Sequence, residues 1–152
     1  MDDRLNSMIL WRRASQYFEA AQILHKEKPD IFILTYFLLG QSIELSLKGF
    51  LRGAEASEKN LKNLCHDLNK ALQEAEKKGL QNLVSLSDDD RGNIALLNVS
   101  YQSKDLQYTI SGYKRYPNLD KIFDIAKRSL DGTKNHCMQN REQHFGKPTA
   151  VL

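Results

Sequence analysis

The sequence is short of residues that interrupt helices and of residues that cross-link or anchor a chain. Its 152 residues include three prolines, eight glycines and two cysteines. Because proline and glycine weaken a helix interior most, their scarcity favours long helices. Two cysteines, Cys65 and Cys137, make no disulfide framework, and we expect no signal peptide. The apolar run Ile31 to Gly40 has about half of the roughly 20 residues that a membrane span requires. These absences predict a soluble, cytoplasmic protein.

The charge is close to balanced overall but unevenly placed. The net charge is +3, which by itself gives no strong nucleic-acid signal. Residues 1–103 hold 13 basic and 14 acidic side chains, whereas residues 104–152 hold 9 basic and 5 acidic ones. A surface that faces a polyanion is therefore expected to involve the last third of the chain.

Apolar residues recur with the spacing of amphipathic helices, and no useful length alternates with the period of a strand. The pattern predicts an all-α fold, an up-and-down antiparallel bundle of four to five helices over residues 1–132. A polar loop is expected at residues 54–62, and a flexible polar C-terminal tail at residues 133–152. The five predicted helices lie around Leu10–Leu24, Ile31–Leu51, Leu64–Ala75, Ser87–Tyr101 and Leu119–Leu130, the last closed by Asp131 and Gly132.

Two charged residues interrupt the apolar second helix. Glu44 and Lys48 are four residues apart with the acid first, the favourable order for an ion pair on one helix. The pair either is structural and lies at the rim of the bundle, or has a chemical role, and the sequence leaves both interpretations open. His66 precedes Asp67, and such a histidine serves as a general base, a ligand, or a packing and capping residue. We expect His66 to approach Glu44, so that Glu44, Lys48, His66 and Asp67 form one polar patch.

Motifs for cofactors and metals are weak or absent. Phosphate-loop glycines, dinucleotide-binding glycines and a serine elbow do not occur. His136, Cys137 and His144 offer three metal-binding side chains, but without the spacing of a known metal motif. We therefore predict no metal site and no cofactor.

One stretch interleaves aromatic and basic residues. The sequence "YQSKDLQYTISGYKRY" holds four tyrosines among two lysines and an arginine. Rings that stack on bases beside cations that bind phosphate suit single-stranded nucleic acid. Packing of the tyrosines at a helix end, with solvated lysines, is the alternative. The residues expected to bind nucleic acid or nucleotide are Tyr101, Lys104, Tyr108, Lys114 and Arg115.

These stretches together resemble the HEPN domain family, helical bundles named for higher eukaryotes and prokaryotes nucleotide-binding. The resemblance rests on "YFEAAQIL", "YFLLGQSIELSLKGFL", "HDL" and "LLNVSYQSKDLQYTISG", and it covers roughly Ala14 to Leu130. It implies a bundle of four or five helices, frequently a homodimer. It also implies a place in toxin–antitoxin or other defence systems, often beside a nucleotidyltransferase.

Many proteins of the family are metal-independent endoribonucleases, with an arginine, a polar residue and a histidine four to six positions past the arginine. This sequence has no such spacing, and Lys104, Asp105 and Tyr108 stand at the corresponding stretch. Lysine lacks the bidentate fork of arginine, and a tyrosine with an ordinary pKa near 10 is a poor base. We predict a non-catalytic module that binds RNA, nucleotide or a partner protein in a prokaryotic defence or toxin–antitoxin-like system. The alternatives are an endoribonuclease that uses Lys104, Tyr108 and His66, and a regulatory partner of a nucleotidyltransferase.

Overall fold

The chain is helical through most of the part that the computed structural model describes, which is residues 6–103 and 115–145, with side chains as far as residue 139. No strand occurs in these ranges, so the prediction of an all-α bundle is confirmed. None of the helices in the described ranges has both the length and the apolar character needed to cross a membrane. Six helices lie in the described ranges: α1 (Ser7–Glu27), α2 (Phe32–Gly53), α3 (Glu58–Asn63), α4 (Leu68–Lys77), α5 (Asp88–Gln102) and α6 (Leu119–Phe145), with a 3₁₀ turn at Leu80–Asn82.

The central helix of the bundle is α2. Its stripe of Leu39, Ile43 and Leu47 is buried against the neighbouring helices, as the sequence spacing predicts. Helix α1 runs antiparallel to α2, since Ser7 at its start lies against Gly49 near the end of α2. Burial of this continuous apolar stripe is the main source of stability that the fold offers.

The last helix packs on both α1 and α2. The indole Nε1 of Trp11 donates a hydrogen bond to the carbonyl of Leu130 (3.0 Å), and the hydroxyl of Ser7 donates to the carbonyl of Cys137 (3.1 Å). Because the start of α1 meets the later part of α6, these two helices are antiparallel. Helix α6 therefore runs in the same direction as α2.

Helices α4 and α5 form an antiparallel pair beside α2. The guanidinium of Arg91 near the start of α5 binds Glu76 near the end of α4, with Nε–Oε1 at 3.1 Å. At the other end, the amide oxygen of Asn98 accepts the backbone N–H of Leu68 at 2.8 Å. This pairing brings the end of α5 to the start of α4, where His66 lies.

Two predicted helix boundaries are wrong in this region. The predicted loop at residues 54–62 contains α3, because Ser57 and Asn60 satisfy each other's backbone N–H groups in a capping box. The third predicted helix begins at Leu68 instead of Leu64, because Asp67 is its N-cap and accepts the N–H of Lys70 at 3.1 Å. His66 consequently lies in a turn before the helix.

The predicted end of the last helix at Asp131 and Gly132 is also wrong. Helix α6 continues to Phe145, and the side chains of Thr133 and Cys137 are fully buried within the bundle. Residues 133–139 therefore pack with the bundle and are not a separate polar tail. The prediction of a flexible tail now concerns residues 146–152, which lie outside the described residues.

Candidate functional site

The polar centre of the molecule is the carboxylate of Glu44, in the middle of α2. Its side chain is only 4% exposed, although the helix around it is apolar. Taking a carboxylate out of water costs several kcal/mol, roughly, unless it is paired and hydrogen-bonded. Three donors from three parts of the chain meet this requirement, and we call Glu44, Lys48, His66 and Tyr101 the Glu44 cluster.

Each oxygen of the Glu44 carboxylate has defined partners. The ammonium Nζ of Lys48 donates to Oε2 at 3.0 Å, and this lysine is 12% exposed. The imidazole Nδ1 of His66 lies 2.9 Å from Oε1, and the hydroxyl of Tyr101 donates to the same oxygen at 2.8 Å. The structure thus contains the expected contact between His66 and Glu44 and the expected pair of Glu44 with Lys48.

Tyr101 reaches Glu44 because α2 has a glycine directly below the tyrosine ring. A Cβ atom at Gly40 would lie 2.4 Å from Cδ1 of Tyr101, so only glycine lets the ring lie on the helix backbone. The residue is 4% exposed, and burial and the neighbouring Glu44 carboxylate raise the pKa of its hydroxyl above the ordinary value. Tyr101 therefore stays protonated and donates to Glu44. Its predicted role in stacking on a base is wrong, because the ring is in the core.

His66 is the member of the cluster that faces solvent, with half of its side chain exposed. A carboxylate oxygen can only accept, so Nδ1 carries the hydrogen in the contact with Glu44. This fixes the tautomer and leaves Nε2 as the second ring nitrogen. The ring also meets the edge of Tyr101, with centroids 6.3 Å apart and planes at 88°. A histidine held in this way can accept a proton, or bind an anionic oxygen when it is charged.

The turn that carries His66 is tied to the cluster by its backbone. The ammonium of Lys48 donates a second hydrogen bond, of 2.7 Å, to the carbonyl of Cys65. Cys65 has a left-handed backbone with φ of 51°, unusual for a residue with a side chain. Lys48 therefore binds both the Glu44 carboxylate and the turn that carries His66. This is a larger structural role than that of a simple ion pair along one helix.

Asp67, the fourth residue of the predicted polar patch, lies beside this cluster but does not bind Glu44. Its carboxylate caps α4 and accepts the side-chain amide of Asn98 at 3.1 Å. Asn98 is buried and bridges the start of α4 to α5. The sequence does not predict the bridging role of Asn98 or the hydrogen bond from the Tyr101 hydroxyl to Glu44, because it does not show which side chains of α5 face α2 and α4.

The basic and aromatic stretch begins just after Tyr101. Lys104, Tyr108 and Lys114 lie outside the described residues. Arg115, where the described chain resumes, is exposed. Tyr116 stacks on Tyr36, with centroids 5.2 Å apart and planes at 17°. The described residues on either side of positions 104–114 therefore pack on α2 through Tyr101 and Tyr116.

Two of the three side chains considered for a metal site, those of His136 and Cys137, are used in packing. His136 lies on the ring of Phe50 with its Nε2 3.1 Å from the carbonyl of that residue. Cys137 is buried, and burial raises the pKa of its thiol to about 12. His144 lies beyond the described side chains. Within the described part, no three His, Cys, Asp or Glu side chains are grouped as metal ligands.

Comparison with known proteins identifies the family. The family model of the HEPN domain matches residues 7–131, most of the chain, and the chain therefore belongs to the HEPN domain family. No curated protein and no solved structure matches the chain significantly. Membership in this family is in keeping with a function related to nucleotides or RNA.

Proposed function

We propose that this chain is a cytoplasmic, non-catalytic HEPN module that binds single-stranded RNA or nucleotide. It acts as a homodimer in a prokaryotic defence or toxin–antitoxin-like system. The binding surface consists of the segment from Lys104 to Lys114, with Arg115 and the exposed face of His66. Its cations bind phosphate, and Tyr108 stacks on a base.

The observation that carries this proposal is the packing of the described residues on both sides of the segment. The Tyr101 hydroxyl holds the last turn of α5 on the buried Glu44, and Tyr116 holds the returning chain on Tyr36. Fixed ends reduce the entropy that a loop loses when it binds a ligand. The partly exposed His66 contacts the same carboxylate as Tyr101, so it lies beside the last turn of α5.

Titration of fluorescently labelled single-stranded RNA tests this surface. Lys104→Ala, Lys114→Ala and Arg115→Ala are each expected to weaken binding and to lower the magnitude of the salt slope by about 0.7. Lys59→Ala is the matched control, because Lys59 is an exposed lysine on α3 that is not part of the proposed binding surface. A variant that carries all three substitutions and still binds the RNA as tightly as the wild type would contradict the proposal.

The proposed homodimer uses the apolar start of α2. Ile31, Phe32, Ile33 and Leu34 are each 41–45% exposed, and four consecutive exposed apolar residues are unusual on a monomer. Lys28 and Asp30 beside them carry opposite charges, so the same surface on a second copy is complementary under a two-fold axis. Light scattering is expected to give a dimer for the wild type and a monomer for Phe32→Ser with Leu34→Ser. A monomeric wild type would contradict this part.

The second candidate function is a metal-independent endoribonuclease, and the contact between Glu44 and His66 favours it. A carboxylate that fixes the tautomer of a half-exposed histidine is an arrangement that general bases use. Such an enzyme would cleave RNA in EDTA, and His66→Ala, Lys104→Ala and Tyr108→Phe would each abolish cleavage. Intact RNA after prolonged incubation with the wild-type dimer would exclude this candidate.

A further inference from the structure

The imidazole of His66 has one ring nitrogen that faces the core and one on the opposite edge of the ring. Nδ1 lies 2.9 Å from Oε1 of the buried Glu44, so this side of the ring points inward. In a five-membered ring the bond opposite Nδ1 joins Nε2 to Cδ2, and half of the side chain is exposed. Nε2 forms no hydrogen bond with any residue of the described ranges. It is therefore the nitrogen that a ligand at the surface can reach.

Protonation of His66 changes Nε2 and leaves the contact with Glu44 in place. In the neutral ring Nδ1 carries the hydrogen that the carboxylate accepts, so Nε2 presents a lone pair. In the charged ring Nε2 presents an N–H group instead, while Nδ1 keeps its own. A lone pair repels the oxygens of a phosphate, whereas the N–H of an imidazolium donates a charge-assisted hydrogen bond to them.

The ring is held by contacts that do not depend on its charge. Tyr101 packs against the imidazole with centroids 6.3 Å apart and planes at 88°. Lys48 donates at 2.7 Å to the carbonyl of Cys65, the residue before His66. Asp67, the residue after His66, is the N-cap of α4. Because both neighbours in the chain are fixed, titration changes the charge of the ring and not the position of the turn.

The ionisable side chains that contact His66 or flank it in the chain are those of Glu44, Lys48, Tyr101, Cys65 and Asp67. On α2, the ammonium of Lys48 lies 3.0 Å from the Glu44 carboxylate and balances its charge. On α5, Tyr101 stays protonated, since burial and Glu44 raise the pKa of its hydroxyl. The carboxylate of Asp67 accepts a backbone N–H of α4 and the side-chain amide of Asn98. Protonation of His66 therefore adds a full positive charge to a cluster that is otherwise balanced.

We propose that His66 makes RNA binding dependent on pH: the Nε2–H of the charged ring binds a phosphate of the RNA, and the neutral ring releases it. This regulation rests on the proposed function and concerns the same surface. Histidine is the side chain whose charge ordinarily changes between about pH 5 and pH 8. The other cations of the surface keep their charge over this range, and they are Lys104, Lys114 and Arg115. RNA therefore binds more tightly in mild acid than above neutral pH.

Titration of labelled single-stranded RNA at about pH 5.5 and at about pH 8 tests the proposal. The RNA has no terminal phosphate, because a phosphate monoester itself titrates at about pH 6. The wild type is expected to bind about tenfold more tightly at the lower pH, through one charge-assisted hydrogen bond. The salt slope is expected to be larger in magnitude by about 0.7 at the lower pH, the value for one further phosphate contact on a single strand.

Two substitutions each hold position 66 in one charge state. His66→Gln keeps an N–H donor for Glu44 without a titratable group, so it is expected to bind at both pH values as weakly as the wild type at the higher pH. His66→Arg keeps a positive charge, so it is expected to bind at both pH values as tightly as the wild type at the lower pH. His25→Gln is the control, because His25 packs on Phe123, with centroids 5.3 Å apart, and lies outside the Glu44 cluster. It is expected to keep the full pH dependence.

The outcomes separate this regulation from the proposed function. Equal affinities and salt slopes of the wild type at the two pH values would overturn the regulation, and so would a pH dependence that survives His66→Gln. Either result would leave RNA binding itself intact. Absence of binding at both pH values would contradict the proposed function, and the regulation would fall with it. The wild-type salt slopes decide between these outcomes even if a substitution impairs folding.

Discussion

Glu44 is a charged residue in an apolar helix, and its contacts explain why the sequence tolerates it. Lys48, His66 and Tyr101 all donate to its two oxygens, at 2.8–3.0 Å. Removing one member of a buried ion pair leaves the other uncompensated, which is more costly than losing the attraction alone. The cluster therefore couples the stability of the bundle to the position of His66.

We expect Glu44→Ala to lower the free energy of unfolding by about 3 kcal/mol, because it leaves a largely buried ammonium and a buried hydroxyl without their acceptor. Urea denaturation measures the change. Glu58→Ala is the matched control: Glu58 forms an ion pair of the same i, i+4 order with Lys62, but at 3.7 Å and on the surface. Its effect is expected to stay below about 1 kcal/mol. Similar losses in both variants would contradict the role assigned to Glu44.

Gly40 gives a second test at the scale of a single atom. A methyl group there would meet the ring of Tyr101 at 2.4 Å, whereas one at Gly92 in α5 would meet nothing within 4 Å. Gly40→Ala is therefore expected to destabilise the protein by about 1–3 kcal/mol, since the ring must leave Glu44. Gly92→Ala is expected to stabilise it by about 0.5–1 kcal/mol through helix propensity. Thermal unfolding of the two variants checks both signs, and a stabilising Gly40→Ala would contradict the geometry.

The sequence predicts part of this cluster, and the missing part has a physical reason. The polar residues Glu44 and Lys48 on the second helix, and a histidine near the start of the third predicted helix, predict the contact of His66 with Glu44. For Tyr101 the sequence leaves base stacking and packing at a helix end both open, because a tyrosine near lysines is the same pattern whether its ring is buried or exposed. Only the space over Gly40, which depends on how α5 crosses α2, decides between them.

Among the helices, α5 shows how a local signal and a tertiary contact combine. Ser87 and Asp90 form the capping box that the run of acids after Ser87 predicts, with hydrogen bonds of 2.9 and 3.0 Å. Arg128 of α6 then binds the same Asp90 at 3.0 Å. Burial opposes ionisation of Asp90, but the hydrogen bonds from Ser87 and Arg128 outweigh it and hold the pKa of this carboxyl below its usual value.

This pKa predicts a dependence of stability on pH. A carboxyl whose pKa is lower in the folded state stabilises the protein above its unfolded pKa, near 3.9, and this contribution is lost as the pH falls through the folded pKa. Asp90→Asn is therefore expected to be less stable than the wild type by about 1 kcal/mol at pH 7, and the difference should disappear in strong acid. Asp88→Asn, which changes a fully exposed neighbour, serves as the control. A difference for Asp90→Asn that is independent of pH would contradict the assignment.

Helix α6 shows where apolar periodicity fails as a guide. Ser129 and Thr133 are buried, and each hydroxyl donates to the carbonyl four residues earlier, at 2.8 and 2.7 Å. Both side chains therefore belong to the core, although serine and threonine are polar and do not extend the apolar pattern of the helix. Gly132 has a packing role, since a Cβ there would lie 2.5 Å from the carbonyl oxygen of Leu83.

Truncation tests whether the later part of α6 belongs to the bundle. A chain that ends at residue 132 loses the buried Thr133 and Cys137 and the stacking of His136 on Phe50. We expect it to be less stable than a chain that ends at residue 145 by at least about 2 kcal/mol, because apolar surface of α1 and α2 becomes exposed. Urea denaturation of the two chains measures this. Equal stability of the two chains would favour the prediction of a flexible tail from residue 133.

At the scale of the whole molecule, the bundle brings together residues that are distant in the sequence. Helix α2 supplies Glu44 and Lys48, the turn before α4 supplies His66, and α5 supplies Tyr101. The all-α class followed from helical spacing, whereas this convergence requires the packing of three segments. If the proposed function holds, RNA binding depends in part on a buried carboxylate that RNA does not contact.

The most direct measurement of that central claim is the RNA affinity of Tyr101→Phe. This variant keeps the ring and removes the hydroxyl that anchors the end of α5 on Glu44. We expect single-stranded RNA to bind at least about threefold more weakly than to the wild type, since the last turn of α5 loses its anchor on Glu44 while the helical content is kept. Tyr17→Phe, which removes a hydroxyl that forms no hydrogen bond in the described ranges, is expected to bind normally. Unchanged affinity of a folded Tyr101→Phe would contradict the account.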